Sequence, residues 1–194
     1  MKLLPASPVV FREPLSQPPE SAFLSVVRGA LGTAVLVGNA RGELLALRLT
    51  IPADMVARQI KTLWGTQCIR DAAPFGEVID RVHAYLEGDP SPISAVVRPV
   101  WLTPFTVEIH RLLTRIPFGE TCRYGDIAGE LGNPKAARSV GGACGRNQVL
   151  VVVPCHRVIA AGGLGGFGAG LDLKRRLLAH EHIEIETSHK RRSS

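Results

Sequence analysis

Apolar positions change their spacing along the chain, and each spacing predicts a different element. Residues 33–51, TAVLVGNARGELLALRLTI, hold two apolar runs broken at 39–42, which reads as two strands joined by a hairpin turn. Residues 53–64 and 75–88 place apolar side chains three and four apart, the repeat of an amphipathic helix. Residues 93–102, ISAVVRPVWL, read as a further strand, with Pro99 marking a sheet edge or a strand end. Residues 22–102 therefore predict a small α/β domain without a convincing chemical constellation. Residues 1–21 are rich in proline and serine and read as a loose arm.

The pattern shifts after 103. Residues 103–116 predict a helix with Thr103 as N-cap and Pro104 in its first turn. Residues 121–132 predict a short helix closed by Gly132, and residues 133–147 a second, with Asn133 as N-cap and Pro134 at its first position. Two short helices around a tight Gly-Asn-Pro turn read as a helix-turn-helix. An apolar run, a loop with many glycines and an amphipathic helix over 171–183 follow, so 103–186 predict a second, mainly helical domain. Residues 187–194 read as a basic, disordered tail.

Composition narrows the class. The 194 residues are 45% hydrophobic and 21% charged, as expected of a soluble globular chain. The net charge of +6 points mildly toward a polyanion partner. Cys68, Cys122, Cys144 and Cys155 form no CxxC pair, and no histidine pair has zinc-finger spacing, so no structural zinc site is expected. Pro5, Pro8, Glu13 and Pro14 interrupt any apolar leader, and no stretch is long enough to span a membrane. The expected setting is the reducing cytoplasm.

The chemistry concentrates at 151–163, VVVPCHRVIAAGG. An isolated cysteine is most simply a small buried hydrophobe. Here Pro154 fixes the backbone before Cys155, His156 follows it directly, and glycines beyond let backbone approach a flat ligand. A thiol becomes a nucleophile when nearby positive charge or hydrogen bonds stabilise its thiolate. In extended chain Cys155 and His156 point apart, so a bridging water would link them, with Glu181 available to orient the imidazole. A cysteine hydrolase stays open on these residues alone. The second helix of the pair, KAARSVGGA, is built of small residues around one large cation, Arg138. Glycines weaken a helix, so close approach to another surface is the natural compensation. Arg138 then reads either as a surface arginine or as a side chain inserted into the minor groove. A thiol cannot reach a base within the stack, so a DNA-acting thiol needs the base flipped out.

The segments IPFGETCRYGDIA (116–128), GNPKAARSVGGACGRN (132–147), PCHRV (154–158) and LLAHE (177–181) resemble, in this order, the O6-alkylguanine-DNA alkyltransferases, also called methylated-DNA–protein-cysteine methyltransferases. The resemblance implies a small ribonuclease-H-like N-terminal domain and a C-terminal domain with a winged-helix-like DNA-binding element. It makes Cys155 the acceptor of an alkyl group from O6 of a flipped guanine, and by extension from O4 of thymine, used once and without a cofactor. His156 would deprotonate Cys155 through water, Glu181 would hold the imidazole, Asn147 would tie the turn before the site, and Tyr124 would favour base rotation and help bind the guanine. Cys144, Val158, Leu164, Phe167 and Gly168 would wall the base pocket. Thr106, Gly125, Asn133, Ala137, Arg138, Gly141 and Ala161 would meet double-stranded DNA from the minor-groove side, with Arg138 filling the gap left by the base. Phe167 stands where tyrosine is usual, and Gly168 replaces a larger residue, which implies a roomier pocket. Some relatives hold zinc through N-terminal cysteines; no cysteine precedes Cys68 here, so no metal is carried over. A monomer is expected, with cooperative binding on DNA left open. The alternative within this resemblance is a lesion sensor that binds alkylated DNA without transfer.

Overall fold

The computed structural model describes residues 6–184. In chain order it contains β1 (Val9–Phe11), β2 (Ser21–Gly29), β3 (Gly32–Gly38), β4 (Leu44–Leu49), α1 (Ala53–Trp64), β5 (Gln67–Arg70), α2 (Glu77–Leu86), β6 (Ala95–Val97), α3 (Pro104–Leu113), β7 (Cys122–Arg123), α4 (Tyr124–Glu130), α5 (Ala137–Gly145), β8 (Val158–Ile159) and α6 (Leu171–His180). Six strands make one mixed sheet in the order β1-β6-β4-β3-β2-β5. The predicted hairpin is β3 and β4, with Leu36 opposite Leu47. Its turn is shaped by the Asn39 side chain, which accepts from the backbone N–H of Arg41 at 2.9 Å and of Glu43 at 3.1 Å.

The pleat of β3 divides the core. Val35 and Val37 face α1 with Leu24, Val56 and Ile60, whereas Ala34 and Leu36 face a larger cluster. That cluster runs without a break from Leu44 and Tyr85 to Ile109, Val140 and Cys155, so apolar side chains from both sides of residue 103 share one core. Backbone joins the halves as well. Leu47 N–H donates to Gln148 O at 2.9 Å, and Leu150 N–H donates back to Leu47 O at 3.2 Å. The Gln148 side chain pairs with both backbone groups of Val100, donating to its carbonyl at 2.9 Å and accepting from its N–H at 3.2 Å. The start of the chemistry-bearing run is thereby pinned to the edge of β4.

The loose arm expected over 1–21 does not hold where the chain is described. Val9–Phe11 pairs in parallel with β6, Leu15 bridges to Val100, and Ser21 opens β2. Each proline lacks a donor, but the backbone N–H groups of Arg12 and Leu15 between them still reach Val97 O and Pro99 O. Residues 1–5 and the basic tail lie outside the described residues. Pro99 follows the end of β6, and β6 is internal, between β1 and β4. The caps behave as their residues dictate at α3: Thr103 Oγ1 accepts from the Thr106 N–H at 3.2 Å, and Pro104 opens the helix. Gly132 takes φ 70° after α4, and Pro134–Ala136 form a short 3-10 turn that leads into α5.

Candidate active site

The run after α5 is folded into a tight knot. Val152 N–H donates to Leu150 O at 2.8 Å, Val153 N–H to Val149 O at 2.9 Å, and Cys155 N–H to Val153 O at 2.9 Å. Val151 sits at φ 61°, a conformation that β-branched residues rarely adopt. Residues 149–153 are all buried, and that packing holds the strained turn. After Pro154, Cys155–Arg157 make one 3-10 turn rather than extended chain, and Val158–Ile159 then pairs with β7.

Asn147 sets the thiol. Its amide donates to Val153 O at 2.7 Å and to Cys155 Sγ at 3.0 Å, while its carbonyl accepts from the Val149 N–H at 2.9 Å. Cys155 is 3% exposed. Burial pushes its thiol up to about 11, against the Asn147 amide and the Lys174 charge. The resting group is therefore a thiol, and it needs a base when it reacts.

The acid–base pair next to it in the chain is His156 with Glu181. His156 Nε2 meets Glu181 Oε1 at 2.7 Å with both side chains buried. With the carboxylate ionised, Nε2 carries the proton, which leaves Nδ1 as the basic nitrogen. Burial pushes the His156 imidazole down, outweighing the opposing pull of Glu181. Burial also pushes the Glu181 carboxyl up, but the hydrogen bonds and charges of His156 and Arg157 overcome it and hold the group at about 2. Arg157 donates from Nε to Oε2 at 2.8 Å and from Nη2 to Oε1 at 2.9 Å. Tyr85 Oη donates to Oε1 at 2.8 Å, and Gly119 N–H to Oε2 at 3.3 Å.

Lys174 is fully buried, and Nζ donates to the carbonyls of Val158 at 2.6 Å, Leu164 at 2.6 Å and Gly166 at 3.2 Å. It ties the glycine loop to the strand that leaves the active turn. Sequence reasoning singled out neither Lys174, Tyr85 nor the pairing of Arg157 with Glu181. Lys174 carried a signal: with Leu177, Leu178 and Glu181 it occupies one buried face of α6 at helical spacing.

A pocket of 680 Å³ opens beside this cluster, lined by Tyr124, Ala137, Arg138, Gly141, Cys144, Gly145, Gly166, Phe167 and Gly168. Tyr124, Cys144, Phe167 and Gly168 thus share a wall, while Val158 is buried and Leu164 serves Lys174 through its carbonyl. Tyr124 Oη donates to Gly166 O at 3.3 Å. Gly165, at φ 68°, lets the loop pass Tyr124; a Cβ there would sit 2.8 Å from the ring. Burial pushes the Cys144 thiol up to about 12, with the Cys155 thiol adding to the shift. Ala137, Arg138 and Gly141 turn one face of α5 to the same opening. Gly125, Asn133 and Ala161 are exposed. Thr106 is buried, and its hydroxyl bonds to Thr103 at 3.0 Å and accepts from Arg146 at 3.2 Å, so this position presents no open hydroxyl. Among the described residues no cluster of three or more His, Cys, Asp or Glu side chains is placed to hold a metal ion, and no helix is long and apolar enough to cross a membrane.

The buried histidines give a pH prediction. His110 Nε2 donates to Ala143 O at 2.9 Å, and burial lowers its imidazole as it lowers that of His156. Both folded values lie below the unfolded one, so the stability linked to the neutral rings is present above about pH 6.5 and is lost as pH falls below it. The slope is bounded by about 1.4 kcal/mol per pH unit for each ring that stays neutral. Urea midpoints measured between pH 7.5 and 5 check this; a flat series would mean the rings do not stay neutral in the fold.

The fold and cluster define a class: an α/β protein that holds a buried thiol followed by a buried histidine–carboxylate pair, with Cys144, close to that thiol, lining an open pocket on a small-residue helix. Known proteins make the assignment specific. The family described as 6-O-methylguanine DNA methyltransferase, DNA binding domain, matches residues 104–183. A methylated-DNA–protein-cysteine methyltransferase of Methanosarcina acetivorans is 44% identical over 108 residues, covering 55% of this chain and 69% of that protein. One from Mycobacterium tuberculosis is 42% identical over 112 residues, covering 57% and 67%. The crystal structure of Mycobacterium tuberculosis OGT in complex with DNA superposes with a TM-score of 0.66 at 33% identity, covering 82% of this chain and 93% of that one. The chain belongs to the methylated-DNA–protein-cysteine methyltransferase family.

Proposed function

We propose that this protein repairs DNA by direct reversal, moving the alkyl group from O6 of guanine onto Cys155 once per molecule. The observation that carries the reading is the thiol held by Asn147, followed by the His156 and Glu181 pair and close to Tyr124 and Cys144, which line the 680 Å³ pocket. The sulfur attacks the alkyl carbon, the S–C bond forms and the C–O6 bond breaks. The thiol proton goes through water to His156 Nδ1, and the departing guanine is protonated with help from the Tyr124 hydroxyl. No bond to Cys155 is later broken, so the protein is consumed.

In this reading α4, the Pro134–Ala136 turn and α5 form the helix-turn-helix that meets the minor groove of double-stranded DNA. Gly125, Asn133, Ala137, Gly141 and Ala161 approach the DNA backbone, and the contact expected of Thr106 falls to Arg146, which its hydroxyl steadies. Residues 22–102 form the ribonuclease-H-like part and 103–186 the acting part, monomeric in solution and placed in the cytoplasm. The glycines around Phe167 favour a pocket that takes groups larger than methyl; equal or faster transfer from O6-benzylguanine than from O6-methylguanine would bear this out, and a strong methyl preference would count against it.

Exposure of the protein to an excess of duplex carrying O6-methylguanine tests the function. The expected result is one lesion removed per protein molecule, then a halt. Continued turnover contradicts it, and tight lesion binding with no removal favours a sensor. Arg138 gives a sharper check. Unstacking a base costs a few kcal/mol, so Arg138→Ala is expected to slow transfer from duplex by about ten- to a hundredfold. Transfer from free O6-benzylguanine, which needs no flipping, should change little; equal losses on both substrates would remove Arg138 from the flipping step.

A further inference from the structure

The buried carboxylate of Glu181 has a donor from the other half of the chain. Tyr85 lies on α2, ninety-six positions before Glu181, and is 2% exposed. Its hydroxyl reaches Oε1, the same oxygen that holds His156 Nε2. Arg157 Nη2 adds a third donor to that oxygen at 2.9 Å, while Oε2 takes Arg157 Nε and the Gly119 N–H. An ionised carboxylate has about two lone-pair sites per oxygen, so three donors on Oε1 compete.

We propose that Tyr85 is a positioning residue for alkyl transfer, which sets the basicity of His156 by drawing charge from the carboxylate oxygen the imidazole leans on. The inference rests on the proposed role of His156 as base. A carboxylate raises the basicity of an imidazole that donates to it, and each further donor on the same oxygen weakens that effect. The groups facing His156 are Lys174 from α6, Glu181 at the end of that helix, Arg157 from its own turn, and Tyr85 acting through Glu181. Burial, with the neighbouring Glu181 charge, raises the Tyr85 phenol well above its ordinary value, so it stays a donor at every working pH. Arg157 is bound to Glu181 by geometry and to Ile116 O at 2.5 Å, so it is a fixed contribution. Tyr85 is the member of the set whose donor can be deleted without leaving a buried charge unpaired. Its ring packs edge-on against Phe118 at 6.1 Å and His180 at 5.4 Å, contacts that phenylalanine keeps.

The experiment is the pH profile of single-turnover transfer from a duplex carrying O6-methylguanine, for the wild-type protein, Tyr85→Phe and Val82→Ala. Val82 is fully buried on the same helix and has no hydroxyl to lose. One net hydrogen bond is worth about 1 kcal/mol, so Tyr85→Phe is expected to move the acid limb to higher pH by roughly half a unit to one unit. Val82→Ala is expected to lower the Tm and leave the limb in place. The same displacement should appear in the titration midpoint of the His156 ring in protein labelled with 15N-histidine, which needs neither DNA nor activity. A Tyr85→Phe profile superimposed on that of wild type overturns the inference while transfer by wild type stands, and so does an equal displacement in Val82→Ala. Absence of any transfer by wild type overturns the repair reading, and the inference with it.

Discussion

Glu181→Gln is expected to slow transfer to Cys155 by about a hundred- to ten-thousandfold, the range that positioned acid–base groups contribute. The carboxylate accepts from His156, from Arg157 at both oxygens, from Tyr85 and from Gly119, all within 2.7–3.3 Å. An amide has one acceptor oxygen, and its NH2 faces donors. His156 loses the charge that makes Nδ1 basic, and Arg157, only 10% exposed at its side chain, keeps a charge without its partner. Leaving a buried charge unpaired costs about 3 to 5 kcal/mol, so the variant should also unfold at much lower urea. The two effects separate on lowering the temperature: a direct rate defect persists where the variant is fully folded. Transfer within threefold of wild type under those conditions would remove the histidine and glutamate pair from the chemistry.

Lys174→Met is expected to give the opposite balance, with transfer lost by about ten- to a hundredfold and stability changed by less than about 2 kcal/mol. The ammonium is fully buried and its described bonds go to three carbonyls. Desolvating an ion costs several kcal/mol, and charge-assisted hydrogen bonds recover roughly 1.5 to 3 kcal/mol each, so the two nearly cancel. Function does not share in the cancellation. Without the ammonium the segment around Leu164 and Gly166 loses its anchor, and that segment carries the carbonyl that meets Tyr124 and the pocket wall at Phe167. The Lys174 charge also opposes the burial that raises the Cys155 thiol. Single-turnover rates and urea midpoints measured on the same preparation check both halves. A variant that is strongly destabilised yet transfers at the normal rate would show the lysine to be a core strut only.

Much of this arrangement is legible before any coordinates. The repeat of apolar residues gives α1 with its observed ends, the break at 39–42 gives the hairpin, and Thr103 and Pro104 mark the start of α3. The strands that escape reading do so for physical reasons. β2 is covered on both faces, so Leu24, Ser25 and Val27 are all buried and no clean alternation survives. β1 has three residues among prolines, and β5 is a short, mostly exposed edge. In the site, the order of Asn147, Cys155, His156 and Glu181 is readable because those residues lie in dense motifs. Lys174 reads as one more charge on an amphipathic helix, and only its place on the face of Leu177 and Leu178 sets it apart. Tyr85 has no local signal, because only the packing of α2 against the second half brings it to Glu181.

The most direct measurement is an intact mass with peptide mapping, after the protein meets one equivalent of duplex carrying a single O6-methylguanine. The predicted result is one added methyl per molecule, found only on the peptide that holds Cys155. A methyl on the peptide that holds Cys144, or intact lesion in DNA bound by reduced protein, would contradict the assignment of Cys155 as the acceptor.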